Sequence, residues 1–193
     1  RDLHSFPTRR SSDLLVPLTG VNRLFVRFGL PMLERTTRSG LLALKEVSGL
    51  EEGRSLGHYE VAFQLAPRIN AGGRLGSAEV GVRLIGTDDL DEARDIAVQL
   101  NRENAARRQI GERMFNQAVE LIEPMEDYPA LVVSHREWHE GVIGIVASRI
   151  VEMYHKPSLV IAEGENGVSK GSCRSIPGLH MQQALGQCSD LLL

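Results

Sequence analysis

Residues 89–123 form a stretch of about 35 residues that contains no proline. It opens with Asp89 and Glu92, the spacing of a helical capping box, and Gly111 is its one glycine. Apolar residues recur on one helical face until Pro124 ends the pattern. At 1.5 Å per residue the helix would be on the order of 50 Å long, which exceeds the usual length in a compact domain. We predict a connector helix between two lobes.

The composition limits the class of protein. The 193 residues are 42% hydrophobic and 24% charged, and no apolar run approaches the roughly 20 residues of a membrane span. We therefore expect a cytoplasmic protein without membrane association. A net charge of -3 does not favour a polyanion, so nucleic-acid binding would need locally clustered arginines. Cys173 and Cys188 lack the spacing of a zinc site, which predicts two reduced thiols.

The sequence before the long stretch predicts the helical edge of a larger domain. Residues 1–14 show no periodicity and resemble a non-native scar, and both ends of the chain look cut. Leu15 to Leu18 suit a buried strand, and the apolar spacing from Gly20 to Leu33 indicates a helix. A second helix is predicted from Gly40 to Val47, closed by Gly49.

The sequence after Pro124 alternates between strand and helix patterns. We predict strands at 130–134, 157–162 and 167–175, and helices at 141–154 and 181–193. This order indicates an α/β layer with at least one right-handed crossover.

The middle of the long stretch is locally basic. It contains four arginines and two glutamates: Arg102, Arg107, Arg108 and Arg113, with Glu103 and Glu112. A solvated helix face is the simpler interpretation of this pattern.

The segment Leu65 to Ser77 reads LAPRINAGGRLGS. Arg68, Asn70 and Arg74 bracket the Ala-Gly-Gly sequence at 71–73, where the lack of side chains would let a phosphate approach the backbone. A tight turn with two exposed arginines explains the composition at least as well.

Two further segments carry candidate chemistry. WHEGVIGIVASR places His139 at the start of a predicted helix, where free N–H groups favour anions; a histidine that merely caps the helix is an equal alternative. KGSCRS places the hydroxyls of Ser172 and Ser175 near the Arg174 guanidinium, a donor set that suits a terminal phosphate.

Taken together, PRINAGGRLGSA, WHEGVIGIVASR and KGSCRSIPG, followed by CSDLL, closely resemble the RecJ branch of the DHH phosphoesterase superfamily. The resemblance runs from about residue 15 to residue 193 and includes VPLTGVNR. It implies an α/β fold with the C-terminal edge of a DHH-type domain (15–50), a helical connector with a long helix (51–125), and a truncated DHH-associated substrate-binding domain (126–193).

The resemblance also implies a function. The parent protein would be a 5′-to-3′ exonuclease on single-stranded DNA in bacterial recombination and repair, dependent on Mn²⁺ or Mg²⁺; protein partners are not implied. In that family the arginine of the RINAGGR segment, here Arg68 or Arg74, faces the DNA backbone. Ser172 and Arg174 resemble the 5′-phosphate pocket. His139 matches a histidine near the cleavage site and is the catalytic candidate of this chain. Asn70 and Ser175 are further binding candidates.

The departures from the family concern the metal. Members carry their metal ligands in aspartate-rich and DHH segments upstream of residue 15, and no such segment occurs here. An aspartate usually stands three residues before the proline of the VPL segment, but Leu14 holds that place, and we do not count the neighbouring Asp13 as a ligand. We expect no metal site in this chain and no nuclease activity from it alone.

Two alternatives remain open. One is a phosphodiesterase of the same superfamily acting on oligoribonucleotides or cyclic dinucleotides, which resembles the chain less well. The other is a non-catalytic nucleic-acid-binding module. Aspartates and a DHH segment upstream of Leu15 in the gene would support an enzyme, and their absence would support the module.

Overall fold

A computed structural model describes residues 17–50, 53, 55–125 and 127–191. It divides the chain into two compact units, one of residues up to 72 with 78–102 and the other of residues 73–77 with 103–193. Residues 1–14 and most of the predicted strand at 15–18 lie outside the described residues; Pro17 and Leu18 are not in a strand.

The first unit is helical. The helices of the chain up to residue 122 are α1 (Gly20–Glu34), α2 (Ser39–Val47), α3 (Ala66–Leu75), α4 (Glu79–Gly86) and α5 (Leu90–Ile122), with a π-helical segment at Glu60–Leu65 directly before α3. The core of the unit contains Leu44, Leu84 and Leu100, each at most 1% exposed. The two predicted helices before residue 50 are confirmed by α1 and α2.

The ends of these helices follow their capping residues. Gly49 after α2 has φ +69°, the left-handed conformation that glycine adopts without strain. At the start of α5 the Asp89 side chain accepts the N–H groups of Asp91 (2.9 Å) and Glu92 (3.2 Å). The Glu92 carboxylate bonds the Thr87 hydroxyl and Arg83, and these contacts, that of Thr87 most, lower its pKa. The capping box is therefore half formed.

The long helix is confirmed. α5 has 33 residues, and the boundary between the two units falls within it, between Arg102 and Glu103. Gly111 is buried inside this helix, in van der Waals distance of Val142.

The second unit contains a three-stranded sheet. Its elements are β1 (Leu131–His135), α6 (Ile143–Tyr154), β2 (Ser158–Ala162), β3 (Lys170–Arg174) and α7 (Met181–Gly186), with 3-10 turns at Glu123–Met125 and Ser189–Leu191. The strand order is β1-β2-β3, with β1 and β2 parallel and β3 antiparallel to β2. The α/β layer and its crossover through α6 are thus confirmed.

The core of this unit lies between α6, the sheet and the second half of α5. Val146 and Ile150 of α6, Met114 of α5, and Leu131 and Val160 of the sheet are fully buried.

No helix of the described residues is long and apolar enough to cross a membrane. Both cysteines are free thiols, and burial raises the pKa of Cys173 although the Arg174 charge opposes the shift.

Three details differ from the sequence-based expectations. Residues 66–75 form helix α3, so Gly72 and Gly73 are helical rather than part of a turn, and Gly72 is buried. α6 begins at Ile143 instead of residue 141, because residues 139–142 form a turn first. α7 ends at Gly186, where the prediction carried the helix to residue 193.

Glycine at position 40 is required by helix packing. A Cβ there would overlap the Leu84 carbonyl oxygen of α4, whereas a Cβ at Gly29 in α1 would meet nothing within 4 Å. We expect Gly40→Ala to lower the free energy of unfolding by about 1–3 kcal/mol. Gly29→Ala should raise it by up to about 1 kcal/mol, because alanine is the better helix former. Thermal denaturation followed by circular dichroism measures both, and equal effects would contradict the α2–α4 packing.

Candidate nucleic-acid interface

Three polar side chains of the second unit lie in a row along one face of β3. Lys170, Ser172 and Arg174 alternate along the strand and pair in register with Ala162, Val160 and Ser158 of β2. These three β2 residues are buried, so their face of the sheet is the one that α6 covers. The two ends of the row, Lys170 and Arg174, are four residues or roughly 13 Å apart.

The Arg174 guanidinium is held from several sides. Its Nε donates to Ser148 Oγ of α6 (3.0 Å), and its Nη1 donates to the Cys173 carbonyl (2.7 Å) and to Ser172 Oγ (3.2 Å). Arg174 and Ser172 are both half-buried. The structure therefore brings these two predicted residues together, with Ser148 as a partner that the sequence did not indicate.

Gly144 of α6 faces the same cluster. A Cβ at this position would lie 3.1 Å from Ser172 Oγ and 3.3 Å from Arg174 Nη2. The carbonyl oxygen of Gly144 accepts the Ser148 hydroxyl at 3.1 Å. Gly144 and Ser148 are four residues apart on one face of α6, so two small residues of this helix face the polar row of β3.

Ser175 points elsewhere. Its hydroxyl donates to the Leu179 carbonyl at 2.7 Å and closes the turn after β3. The structure thus gives Ser175 a role in the turn and places no hydrogen bond between it and Ser172 or Arg174.

An open pocket of about 330 Å³ lies at the other end of the polar row. Its lining consists of Gly73, Arg74, Leu75, Gly76, His139, Glu140, Gly141 and Lys170. Two of the predicted site residues, Arg74 and His139, therefore share one pocket. Lys170 Nζ and Glu140 Oε2 form an exposed ion pair across it at 3.0 Å.

His139 closes the turn that precedes α6. Its Nδ1 accepts the Gly141 N–H at 3.0 Å, and its carbonyl accepts the N–H groups of Val142 and Ile143. The Nδ1 atom is therefore occupied by the backbone of the turn, and Nε2 is the ring nitrogen that is left for a ligand. The neighbouring Trp138 is buried in the core and bonds Gln117 through Nε1 at 3.0 Å.

Arg74 contributes the cationic wall of this pocket. Its Nη1 donates to the Gly141 carbonyl at 3.1 Å, and its own carbonyl leaves no room for a Cβ at Gly141. Burial, followed by the charges of Arg74 and Arg108, lowers the pKa of Arg107 on α5. Arg107 Nη2 bonds Asn104 at 3.0 Å, while its buried Nε has no acceptor among the described residues. Both charges that act on Arg107 are positive, and one of them, Arg74, lines this pocket.

Arg68 and Asn70 belong to the first unit. The Arg68 guanidinium donates to Asn101 Oδ1 (2.9 Å) and to the carbonyls of Gln64 (2.6 Å) and Val47 (3.4 Å). Asn70 is exposed on α3. These bonds favour a structural role for Arg68 within its own unit.

One further arginine of the second unit is already neutralised by a carboxylate. Arg149 of α6 pairs with Glu112 at 2.8 Å and stacks over the Phe115 ring at 3.8 Å. Its hydrogen bond, and then its charge, lowers the pKa of Glu112. Among the described residues, no group of three or more His, Cys, Asp or Glu side chains could hold a metal ion.

Comparisons with known proteins show which proteins this chain is similar to. Residues 127–192, which include β1 to α7, match the DHHA1 domain. The chain is 39% identical over 180 residues to the single-stranded-DNA-specific exonuclease RecJ of Bacillus subtilis and 39% identical over 183 residues to that of Escherichia coli. Each match covers 92% of this chain, which spans 23% of the Bacillus protein and 32% of the Escherichia protein.

Solved structures agree with the sequence comparison. The crystal structure of Thermus thermophilus RecJ in complex with Mg²⁺ matches 92% of this chain and 27% of its own, with a TM-score of 0.81 and 40% identity. The Mn²⁺ complex of the same protein matches with the same TM-score and identity, over 94% of this chain and 26% of its own. With a DHHA1 domain, RecJ-type sequence over nine-tenths of its length and the RecJ fold, the chain belongs to the RecJ branch of the DHH phosphoesterase superfamily.

Proposed function

We propose that this chain supplies strand and 5′-phosphate binding to a metal-dependent 5′-to-3′ exonuclease that acts on single-stranded DNA in recombination and repair. The relatives named as single-stranded-DNA-specific exonucleases support the substrate class. Because the chain spans about a quarter to a third of those relatives, the activity is proposed for the whole protein.

The cluster of Ser172, Arg174 and Ser148 is the observation that carries the proposal. A guanidinium whose fork is fixed by hydrogen bonds, beside a hydroxyl, matches the oxygens of a terminal phosphate. A phosphomonoester carries more charge than an internal phosphodiester and has three terminal oxygens, so such a donor set favours a 5′-phosphorylated end.

The pocket beside Arg74 is suited to an internal phosphate of the strand. Arg74 lines this pocket, and its charge acts together with that of Arg108 on Arg107, although the whole chain has a net charge of -3. The chain has one Trp, three Tyr and five Phe, and Trp138 is buried, so base stacking is a minor source of affinity and phosphate contacts dominate. We assign to His139 the donation of its Nε2–H to a phosphate oxygen, which makes it a binding residue close to the reacting end.

The metal is assigned to the rest of the protein. The Thermus thermophilus RecJ structures contain Mg²⁺ or Mn²⁺, whereas the described residues of this chain offer no cluster of ligands for either ion. Metal ions of this kind activate water for attack on a phosphodiester. In this proposal the residues of this chain bind the strand, and the rest of the protein holds the metal.

This assignment predicts that the 193-residue chain alone binds single-stranded DNA without degrading it. Purified chain should release no nucleotides from a 5′-labelled oligonucleotide in either Mn²⁺ or Mg²⁺, since the described residues supply no ligand cluster. Metal-dependent release that copurifies with the chain over successive columns would contradict the assignment.

A second prediction concerns the phosphate cluster in the full-length enzyme. Arg174→Ala should lower kcat/KM on 5′-phosphorylated strands at least about tenfold, because a charge-assisted hydrogen bond contributes roughly 1.5–3 kcal/mol. The rate on 5′-hydroxyl strands should change much less. Ser172→Ala should act in the same direction with a smaller effect.

The matched control for Arg174→Ala is Arg149→Ala, which removes the same charge from α6 where Glu112 already neutralises it. The ratio of the two rates should stay at the wild-type value in this variant. An equal loss on phosphorylated and unphosphorylated ends in Arg174→Ala would show that Arg174 does not bind the terminal phosphate.

The salt dependence of DNA binding tests the two arginines of the RINAGGR segment. Each phosphate neutralised on a single strand contributes a slope of about -0.7 in log K against log salt. Arg74→Ala should therefore flatten the slope by about that amount on any sequence. Arg68→Ala should instead lower the thermal stability and leave the slope unchanged, because its guanidinium bonds Asn101 and Gln64.

Anisotropy titrations with two unrelated oligonucleotides at several salt concentrations measure both variants. A flattened slope in Arg68→Ala would restore that residue as a phosphate ligand. A loss in Arg74→Ala that differs between the two sequences would mean that Arg74 contacts bases.

A further inference from the structure

We infer that Ser148 positions Arg174 for a terminal phosphomonoester, and that Gly144 provides the clearance that this arrangement needs. Neither residue lies in the strand that carries the phosphate-binding side chains; both come from α6. The inference rests on the proposed function and extends it from the groups that touch the phosphate to those that fix their geometry.

The hydroxyl of Ser148 has a fixed orientation. A serine hydroxyl offers one proton and two acceptor positions. Its proton is given to the Gly144 carbonyl four residues earlier in the helix, at 3.1 Å. The lone pairs are thereby turned towards Arg174 Nε, which donates to them at 3.0 Å. Ser148 thus presents an acceptor to the guanidinium.

The bond to Ser148 completes the restraint of the Arg174 side chain. An arginine side chain loses rotamer freedom when it is held in one geometry, and this loss opposes binding. Nη1 donates to the Cys173 carbonyl and to Ser172, which restrains one terminal nitrogen of the guanidinium. Nε donates to Ser148, which restrains the guanidinium where it joins the rest of the side chain. Because this ordering is complete before a ligand arrives, the cost is not subtracted from the binding free energy.

Ser172 receives its orientation through the same network. Its Oγ accepts from Arg174 Nη1, so the hydroxyl proton is directed away from the guanidinium and is suited to donate to a phosphate oxygen. Losing Ser148 would release Arg174 and, through it, Ser172. The expected consequence is a weaker preference for phosphorylated ends with both phosphate-binding side chains still present.

Gly144 sets the distance between α6 and this network. A methyl group there would lie 3.1 Å from Ser172 Oγ and 3.3 Å from Arg174 Nη2, closer than ordinary van der Waals contact. The two side chains would have to move by a few tenths of an ångström, and a catalytic or binding geometry is sensitive to displacements of this size. Gly144→Ala should therefore disturb the site without removing any polar group.

The test uses the full-length enzyme and the ratio of kcat/KM on 5′-phosphorylated and 5′-hydroxyl single strands. Ser148→Ala should lower this ratio about threefold to tenfold, less than Arg174→Ala does, because the residue acts on the phosphate only through the guanidinium. The rate on 5′-hydroxyl strands should be unchanged, since the residue acts through a group that contacts the terminal phosphate. Gly144→Ala should lower the ratio in the same direction.

A double-mutant cycle separates positioning from a general structural effect. If Ser148 acts through Arg174, Ser148→Ala should have no further effect on the ratio in an Arg174→Ala background. The matched control is Ser134→Ala on β1, which removes a hydroxyl that bonds Glu163 at 2.6 Å and should leave the ratio at the wild-type value.

The outcomes distinguish this inference from the proposed function. An unchanged ratio in Arg174→Ala overturns the phosphate site itself. A lowered ratio in Arg174→Ala with an unchanged ratio in both Ser148→Ala and Gly144→Ala overturns the positioning roles alone. Additive effects in the double variant, or equal losses on both substrates, would likewise reject them. If Ser148→Ala does not fold, the ratio measured for Gly144→Ala decides the question.

Discussion

The close approach of α6 to β3 is the constraint on which the candidate site depends. A helix that packs on a sheet normally fills the interface with apolar side chains, as α6 does with Val146 and Ile150. On the side facing β3 it instead carries Gly144 and Ser148, and this leaves space for Ser172 and Arg174 between the two elements. The same packing thus shields the site and orients its donors.

The second unit was the more predictable part of the fold. β1, β2 and α6 are short apolar runs bounded by Gly, Pro and polar residues, and each run packs against the others, so local pattern and tertiary contact agree. The boundaries moved by one to three residues, as at α6, where the turn closed by His139 delays the helix to Ile143.

The segment at 65–77 shows why local reasoning fails elsewhere. Two consecutive glycines lower helix propensity by about 1 kcal/mol each, and this favoured a turn. The structure continues the π-helical segment at 60–65 directly into α3, and Ala71 and Gly72 are buried. A sequence pattern does not distinguish small residues that are buried in a helix from small residues that make a turn flexible.

The site could be predicted only where its residues are neighbours in sequence. Ser172 and Arg174 are two positions apart on one strand, so their association followed from alternation alone. Ser148 lies 26 residues from Arg174, and their bond depends on the register of β3 and the rotation of α6. Ser175 was grouped with its neighbours for the opposite reason, since proximity in sequence concealed that its hydroxyl turns to Leu179.

The bond between Ser148 and Arg174 has a consequence for how the family can diverge. Positions 144, 148, 172 and 174 form one steric and hydrogen-bonded unit, so a change at any of them alters the requirement at the others. A homologue without an arginine at position 174 would no longer require a glycine at 144 or a hydroxyl at 148. These four positions should therefore substitute together among homologues, in a correlated pattern that distance along the chain would not suggest.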